Sequence, residues 1–103
     1  MVYEEVRAIV DRAAELLPEP PTSGMAGVYS SWEALVTGTG RRLAHLLGAD
    51  IDLIKCLIAD ERSAPARYRQ RRKVLLGLTM LAALELRLGK SPRNPLPCSL
   101  DVA

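Results

Sequence analysis

The stretch PARYRQRRKVLLGLTMLAALELRL, residues 65–88, decides the expected fold. Proline suits the first turn of a helix, where its missing N–H has no partner, and Gly89 and Pro92 are stop signals. The stretch therefore predicts a helix of about 24 residues, or roughly 36 Å. Its middle is apolar all round, so we expect other helices or a second copy of the chain to enclose it.

A basic block opens this helix. Six cations and no acid lie from Arg62 to Lys73. Because a helix N-terminus favours anions and disfavours cations, we predict that Arg62, Arg67 and Arg71 clamp a phosphate backbone. Two alternatives stay open: the block contacts an acidic protein surface, or it is a solvated helix end whose side-chain stems cover Tyr68 and Val74.

The composition is that of one soluble helical domain. The 103 residues are 49% apolar and 25% charged, with a net charge of +2. A chain of this length has room for one hydrophobic core. Leu and Ala dominate and Phe is absent, which favours helices over strands. We therefore expect an all-α protein with acids concentrated in residues 1–20 and cations in the middle of the chain.

Periodicity and capping signals predict the other helices of a compact bundle of about five. A first helix spans residues 1–17, where apolar residues recur on one face and prolines follow. The capping box Ser30–Glu33 opens a second helix, which the glycines of Thr37–Gly40 should break or kink. A third helix follows to Leu47, and Asp50 caps a fourth that ends near Asp60. Residues 90–103 form an extended, proline-containing tail.

The segment RRLAHLLGADIDLIKCLI, residues 41–58, resembles the helix-turn-helix of small DNA-binding regulators. That unit needs a small residue in its first helix, a glycine turn four positions later, and apolar residues six and nine positions beyond the glycine. Ala44, Gly48, Ile54 and Leu57 fill these places. The resemblance implies that residues 41–59 form a helix-turn-helix whose second helix turns Asp50, Asp52, Lys55 and neighbouring residues towards DNA.

The leading prediction is therefore a small protein that binds double-stranded DNA. Asp50 and Asp52, at the start of the second helix of this unit, would repel phosphate, whereas recognition helices usually offer cations or amides to DNA. The alternative is a helical adaptor or assembly subunit without catalytic activity. We expect a homodimer in either case. The candidate nucleic-acid-binding residues are Arg41, Arg42, Lys55, Arg62, Arg67, Arg69, Arg71, Arg72 and Lys73.

Little in the sequence indicates an enzyme, a cofactor or a membrane protein. His45 is the only histidine, and a packed or half-exposed position suits it better than a role as a base. Cys56 and Cys98 lack metal-ligand spacing; we expect two small core residues or a disulfide between them. The acidic N-terminus is unlike a secretory signal, so we expect a cytoplasmic protein. The apolar run 74–86 is shorter than the roughly 20 residues of a membrane span.

Overall fold

Four α-helices make up the part of the chain that the computed structural model describes, residues 2–21, 26–60 and 65–89. They are α1 (Tyr3–Leu16), α2 (Ala26–Leu46), α3 (Ile51–Ala59) and α4 (Ala66–Arg87). These ranges contain no strand, which confirms the all-α prediction. The predicted tail, residues 90–103, lies outside the described residues.

Helix α4 is the central element, because α1, α2 and α3 all pack against it. The prediction of one long helix over 65–88 is confirmed to within a residue at each end. Thr79 is fully buried, and its hydroxyl donates to the carbonyl of Leu75 one turn earlier at 2.8 Å, which satisfies the buried polar group. The buried face of α4 consists of Tyr68, Arg72, Leu75, Leu76, Thr79, Ala82 and Ala83.

Local sequence signals fix the ends of α1 and α3 as predicted. Leu17 has extended backbone angles, which the following Pro18 favours, and α1 therefore ends at Leu16. Asp50 is the N-cap of α3, and its side chain accepts a hydrogen bond from the backbone N–H of Leu53 at 3.1 Å. One face of each helix enters the core.

The predicted break at Thr37–Gly40 is wrong, because α2 runs without interruption from Ala26 to Leu46. The described residues therefore hold four helices where five were expected. The capping box was also misplaced: α2 begins four residues before Ser30, so Ser30–Glu33 lie inside the helix. Two glycines lower the helix propensity of this region, but tertiary packing overrides that preference.

Gly40 explains why a glycine is present inside α2. A Cβ atom at this position would lie 3.1 Å from the backbone nitrogen of Thr79 and 3.2 Å from the backbone carbon of Leu78, both on α4. Only a residue without a side chain allows the two helices to approach this closely. The glycine that looked like a helix breaker is thus a helix contact.

The turn between α2 and α3 is closed by hydrogen bonds to the end of α2. Gly48 has a φ of 64°, as predicted for the glycine after the helix. The N–H of Ala49 donates to the carbonyl of Ala44 at 2.8 Å, and the N–H of Gly48 donates to the backbone carbonyl of His45 at 3.1 Å. This is a Schellman motif, and only four residues separate the end of α2 from the start of α3.

Gly40→Ala should destabilise the protein by about 1–3 kcal/mol, because the added methyl group collides with the α4 backbone. The matched control is Gly38→Ala two residues earlier, where the nearest atom would be the Arg42 side chain at 3.8 Å. This control should raise the free energy of unfolding by about 0.5–1 kcal/mol, because alanine has a higher helix propensity than glycine. Urea unfolding of both variants measures the difference, and equal effects would contradict a close contact at Gly40.

Candidate functional site

The centre of the basic block is a buried arginine. The Arg72 side chain is only 1% exposed. Its Nε donates to Asp11 Oδ1 on α1 at 2.6 Å, and its Nη1 donates to the carbonyl of Leu57 on α3 at 2.9 Å. The guanidinium therefore joins three helices inside the protein, and Arg72 must be removed from the predicted phosphate-binding residues.

Two further arginines of the block bind the C-terminal end of α1. Arg67 Nη2 lies 2.6 Å from Glu15 Oε2, and Arg71 Nη1 donates to the carbonyl of Leu17 at 2.9 Å. The last carbonyls of a helix lack partners within it and carry partial negative charge, so they favour cations. The cations that oppose the dipole of α4 thus complement the dipole of α1.

Ion pairs and burial shift the pKa values of two groups on α1. The hydrogen bond from Arg67 lowers the pKa of the Glu15 carboxyl, and the charges of Arg67 and Arg12 lower it further. Burial raises the pKa of the Tyr3 hydroxyl, which also donates to Asp60 Oδ2 at 2.9 Å. Arg7 lies 3.7 Å from the same carboxylate oxygen. Both ends of α1 are therefore tied by charge to other parts of the chain.

The remaining candidate cations do not share one surface. Arg69 and Lys73 line a small cavity of about 120 Å³ against Ile58 of α3. Arg41 lines a different cavity, together with Glu85 near the C-terminal end of α4. Arg42 donates to Thr39 on its own helix at 3.3 Å, and Lys55 is exposed on α3. Arg62 lies outside the described residues.

The segment that resembles a helix-turn-helix has its apolar positions in the core. Ala44, Ile54 and Leu57 are fully buried. Its first helix is the last part of the 21-residue α2 rather than a separate helix. Asp52, Lys55 and Cys56 are exposed, so Cys56 is not the core residue that we expected. Cys98, the other half of the predicted disulfide, lies outside the described residues.

An apolar groove between α2 and α4 was missed by the sequence analysis. A surface cavity of about 310 Å³ lies between the two helices, and a second of about 120 Å³ continues it, since Leu78 and Leu81 line both. We call the two cavities together the α2–α4 groove. Its lining comprises Trp32, Glu33, Val36, Thr37 and Arg41 from α2 and Lys73, Val74, Gly77, Leu78, Leu81, Ala82 and Glu85 from α4.

Leu81 is the most exposed apolar side chain of this groove. It is 58% exposed, while Trp32 and Val36 on the opposite wall are buried. The apolar middle of α4 predicted that other helices or a second copy of the chain would enclose it, and α1, α2 and α3 leave one side open. That unbroken apolar pattern was the one sequence signal for the groove, and it could equally have meant complete burial.

His45 is exposed at the end of α2. No group of three or more His, Cys, Asp and Glu residues in the described ranges is arranged to hold a metal ion. Within the same ranges, every helix is too short or too polar to cross a bilayer.

Comparisons with protein-family models, curated proteins and solved structures find no significant match to the chain.

Asp11→Ala should destabilise the protein by about 3 kcal/mol, because it leaves the buried Arg72 charge without its carboxylate. The control is Glu5→Ala, which removes an exposed acid from the first turn of the same helix and should cost less than about 1 kcal/mol. Urea unfolding at neutral pH measures both. Equal, small losses would show that the pair between Asp11 and Arg72 does not hold α1 in place.

Glu15→Gln should make the protein less sensitive to acid. A carboxyl whose pKa is lowered by folding stabilises the folded state above its unfolded pKa, and that stabilisation disappears as the pH falls through the folded pKa. The variant should therefore unfold more easily than the wild type at neutral pH and equally easily in strong acid. Thermal unfolding from pH 7 to pH 2 tests this. Arg67→Met should give the same profile, and a wild-type profile in either variant would contradict the pairing.

Proposed function

We propose that this chain is a helical assembly subunit that binds a helix of a protein partner in the α2–α4 groove. The groove itself is the observation that supports the proposal: two helices present an apolar channel whose central Leu81 is more than half exposed. An amphipathic helix buries its apolar face in channels of this kind, with side chains one turn apart as anchors. Exposed apolar surface rimmed by charges is typical of such sites.

The disposition of the arginines also favours a protein partner. A phosphate clamp needs several cations with free N–H groups on one surface. Arg67, Arg71 and Arg72 instead donate hydrogen bonds to α1 and α3. Three of the six cations of the basic block therefore use hydrogen-bond donors within the chain that a phosphate clamp would need.

DNA binding is the second candidate, and it rests on the outer surface of α3. The buried positions of the helix-turn-helix resemblance hold α3 against the core, and Lys55 is exposed on its outer side. Arg69 and Lys73 are exposed at the start of α4 and line a cavity with α3. Against this candidate, Asp50 and Asp52 are exposed at the start of α3 and would repel phosphates. A cytoplasmic location is expected for either function.

Photo-cross-linking from two positions separates the candidates. In three separate variants, a benzophenone-bearing phenylalanine replaces Leu81 in the groove, Lys55 on α3, or Leu46. Leu46 is the control, because it is 51% exposed and does not line the groove. After irradiation of native cells, we expect protein adducts from position 81 well above those from position 46. If position 81 gives no such excess, the groove is not a protein-binding site. Adducts from position 55 that nuclease removes would favour DNA binding instead.

A further inference from the structure

Gly77 is an exposed glycine in the middle of α4. A glycine inside a helix lowers stability relative to alanine, so its presence needs a physical reason. Gly40 has such a reason in its close contact with α4. At Gly77, an added Cβ atom would meet no heavy atom within 4 Å beyond its chain neighbours and the helix backbone around it. Packing among the described residues therefore does not require glycine at this position.

The open space over Gly77 belongs to the larger cavity of the α2–α4 groove, which measures about 310 Å³. A side chain at position 77 would occupy part of this cavity. The apolar residues around the cavity are Trp32, Val36, Val74, Leu78 and Leu81. Glycine at position 77 thus leaves room for a group from outside the chain, whereas glycine at position 40 leaves room for another helix of the same chain.

The volume of this cavity fits a two-ring aromatic side chain. An apolar cavity of about 150 Å³ in a protein interior holds one benzene molecule. The cavity over Gly77 has about twice that volume, which is room for the two fused rings of an indole. A leucine side chain would leave much of it empty, and apolar walls that face an empty space lose their dispersion contacts.

The walls of the cavity also favour an indole. Trp32 is 8% exposed, and its Nε1 donates to the carbonyl of Pro18 at 2.8 Å. The polar atom of Trp32 is therefore bound to the backbone, and aromatic rings pack favourably edge to face. Glu33 lines the same cavity and is exposed. A carboxylate is an acceptor for the N–H of an indole, which can only donate.

We propose that the cavity over Gly77 receives one tryptophan side chain of the partner helix. This inference rests on the proposed role of the groove as a protein-binding site, and it names the residue that anchors the partner. The indole lies over the backbone of Gly77 beside Trp32, and its N–H donates to Glu33. Tryptophan in a well-packed pocket is among the residues that carry most of the binding energy at protein interfaces. Gly77 is then a specificity-determining residue, because any side chain there fills the pocket.

Two probes with the same backbone test the anchor. N-acetyl-tryptophanamide and N-acetyl-leucinamide are titrated into the isotope-labelled full chain, and the amide signals of Gly77 and Gly38 are followed by NMR. Gly38 is the internal control, because it does not line the groove. We expect the tryptophan probe to shift the Gly77 signal with a Kd of roughly 1 mM, as for a small fragment, and to leave Gly38 unchanged.

The leucine probe should bind about fivefold more weakly or worse, because it fills less of the pocket. Equal affinities of the two probes would overturn the tryptophan anchor. So would the lack of a saturable shift at Gly77 up to about 10 mM of the tryptophan probe.

Gly77→Ala separates binding from folding. Its methyl group lies in open space in the free chain, so the variant should unfold about 2–8 °C above the wild type, because alanine favours the helix. It should bind N-acetyl-tryptophanamide about fivefold more weakly or worse, because the methyl group occupies the pocket. The matched control Gly38→Ala should also unfold at a higher temperature and should bind the probe as the wild type does. Unchanged probe binding by Gly77→Ala, or a lower unfolding temperature, would contradict the role given to Gly77.

Failure of the anchor is distinguishable from failure of the proposed function. If the tryptophan probe does not bind, but position 81 cross-links to a protein in cells, the anchor is overturned and the groove remains a protein-binding site. If the probe binds, but position 81 gives no excess of protein adducts, the proposed function is overturned and the tryptophan of a protein partner with it.

Discussion

The fold depends on the buried guanidinium of Arg72 more than on any other polar group. From its position on α4 it donates to the carboxylate of Asp11 on α1 and to the carbonyl of Leu57 on α3. A buried charge of this kind is costly unless it is paired, so it restricts the register in which three helices pack. Its Nη2 is also buried, and no described residue accepts a hydrogen bond from it.

This constraint explains the uneven distribution of charge along the sequence. The acids of α1 and the cations at the start of α4 form one internal interface, in which Glu15 binds Arg67 and the carbonyl of Leu17 binds Arg71. A basic run in a sequence therefore does not by itself indicate a polyanion. Here the complementary acids are more than 50 residues away in the same chain.

Because Arg67, Arg71 and Arg72 donate hydrogen bonds to α1 and α3, the α2–α4 groove is the partner site that we propose. Gly40 brings α2 close to α4 on the core side, yet the opposite side of α4 stays open along Gly77 and Leu81. Glu33 of α2 and Lys73 of α4 line one end of this groove, and Arg41 of α2 and Glu85 of α4 line the other. This alternation of charge would give a docking helix both a position and a direction. A surface patterned in this way can select a partner, whereas apolar area alone cannot.

The sequence by itself determined the helices α1, α3 and α4, because caps, prolines and apolar periodicity are local signals that act within a few residues. It also located the Gly48 turn through a conformation that favours glycine. Tertiary structure decided the rest. Gly40 became a helix contact rather than a break, and Arg72 became a core residue rather than a phosphate ligand, because each depends on atoms brought close by packing. Which side of α4 stays open is likewise set by where three other helices lie, and no local pattern encodes that.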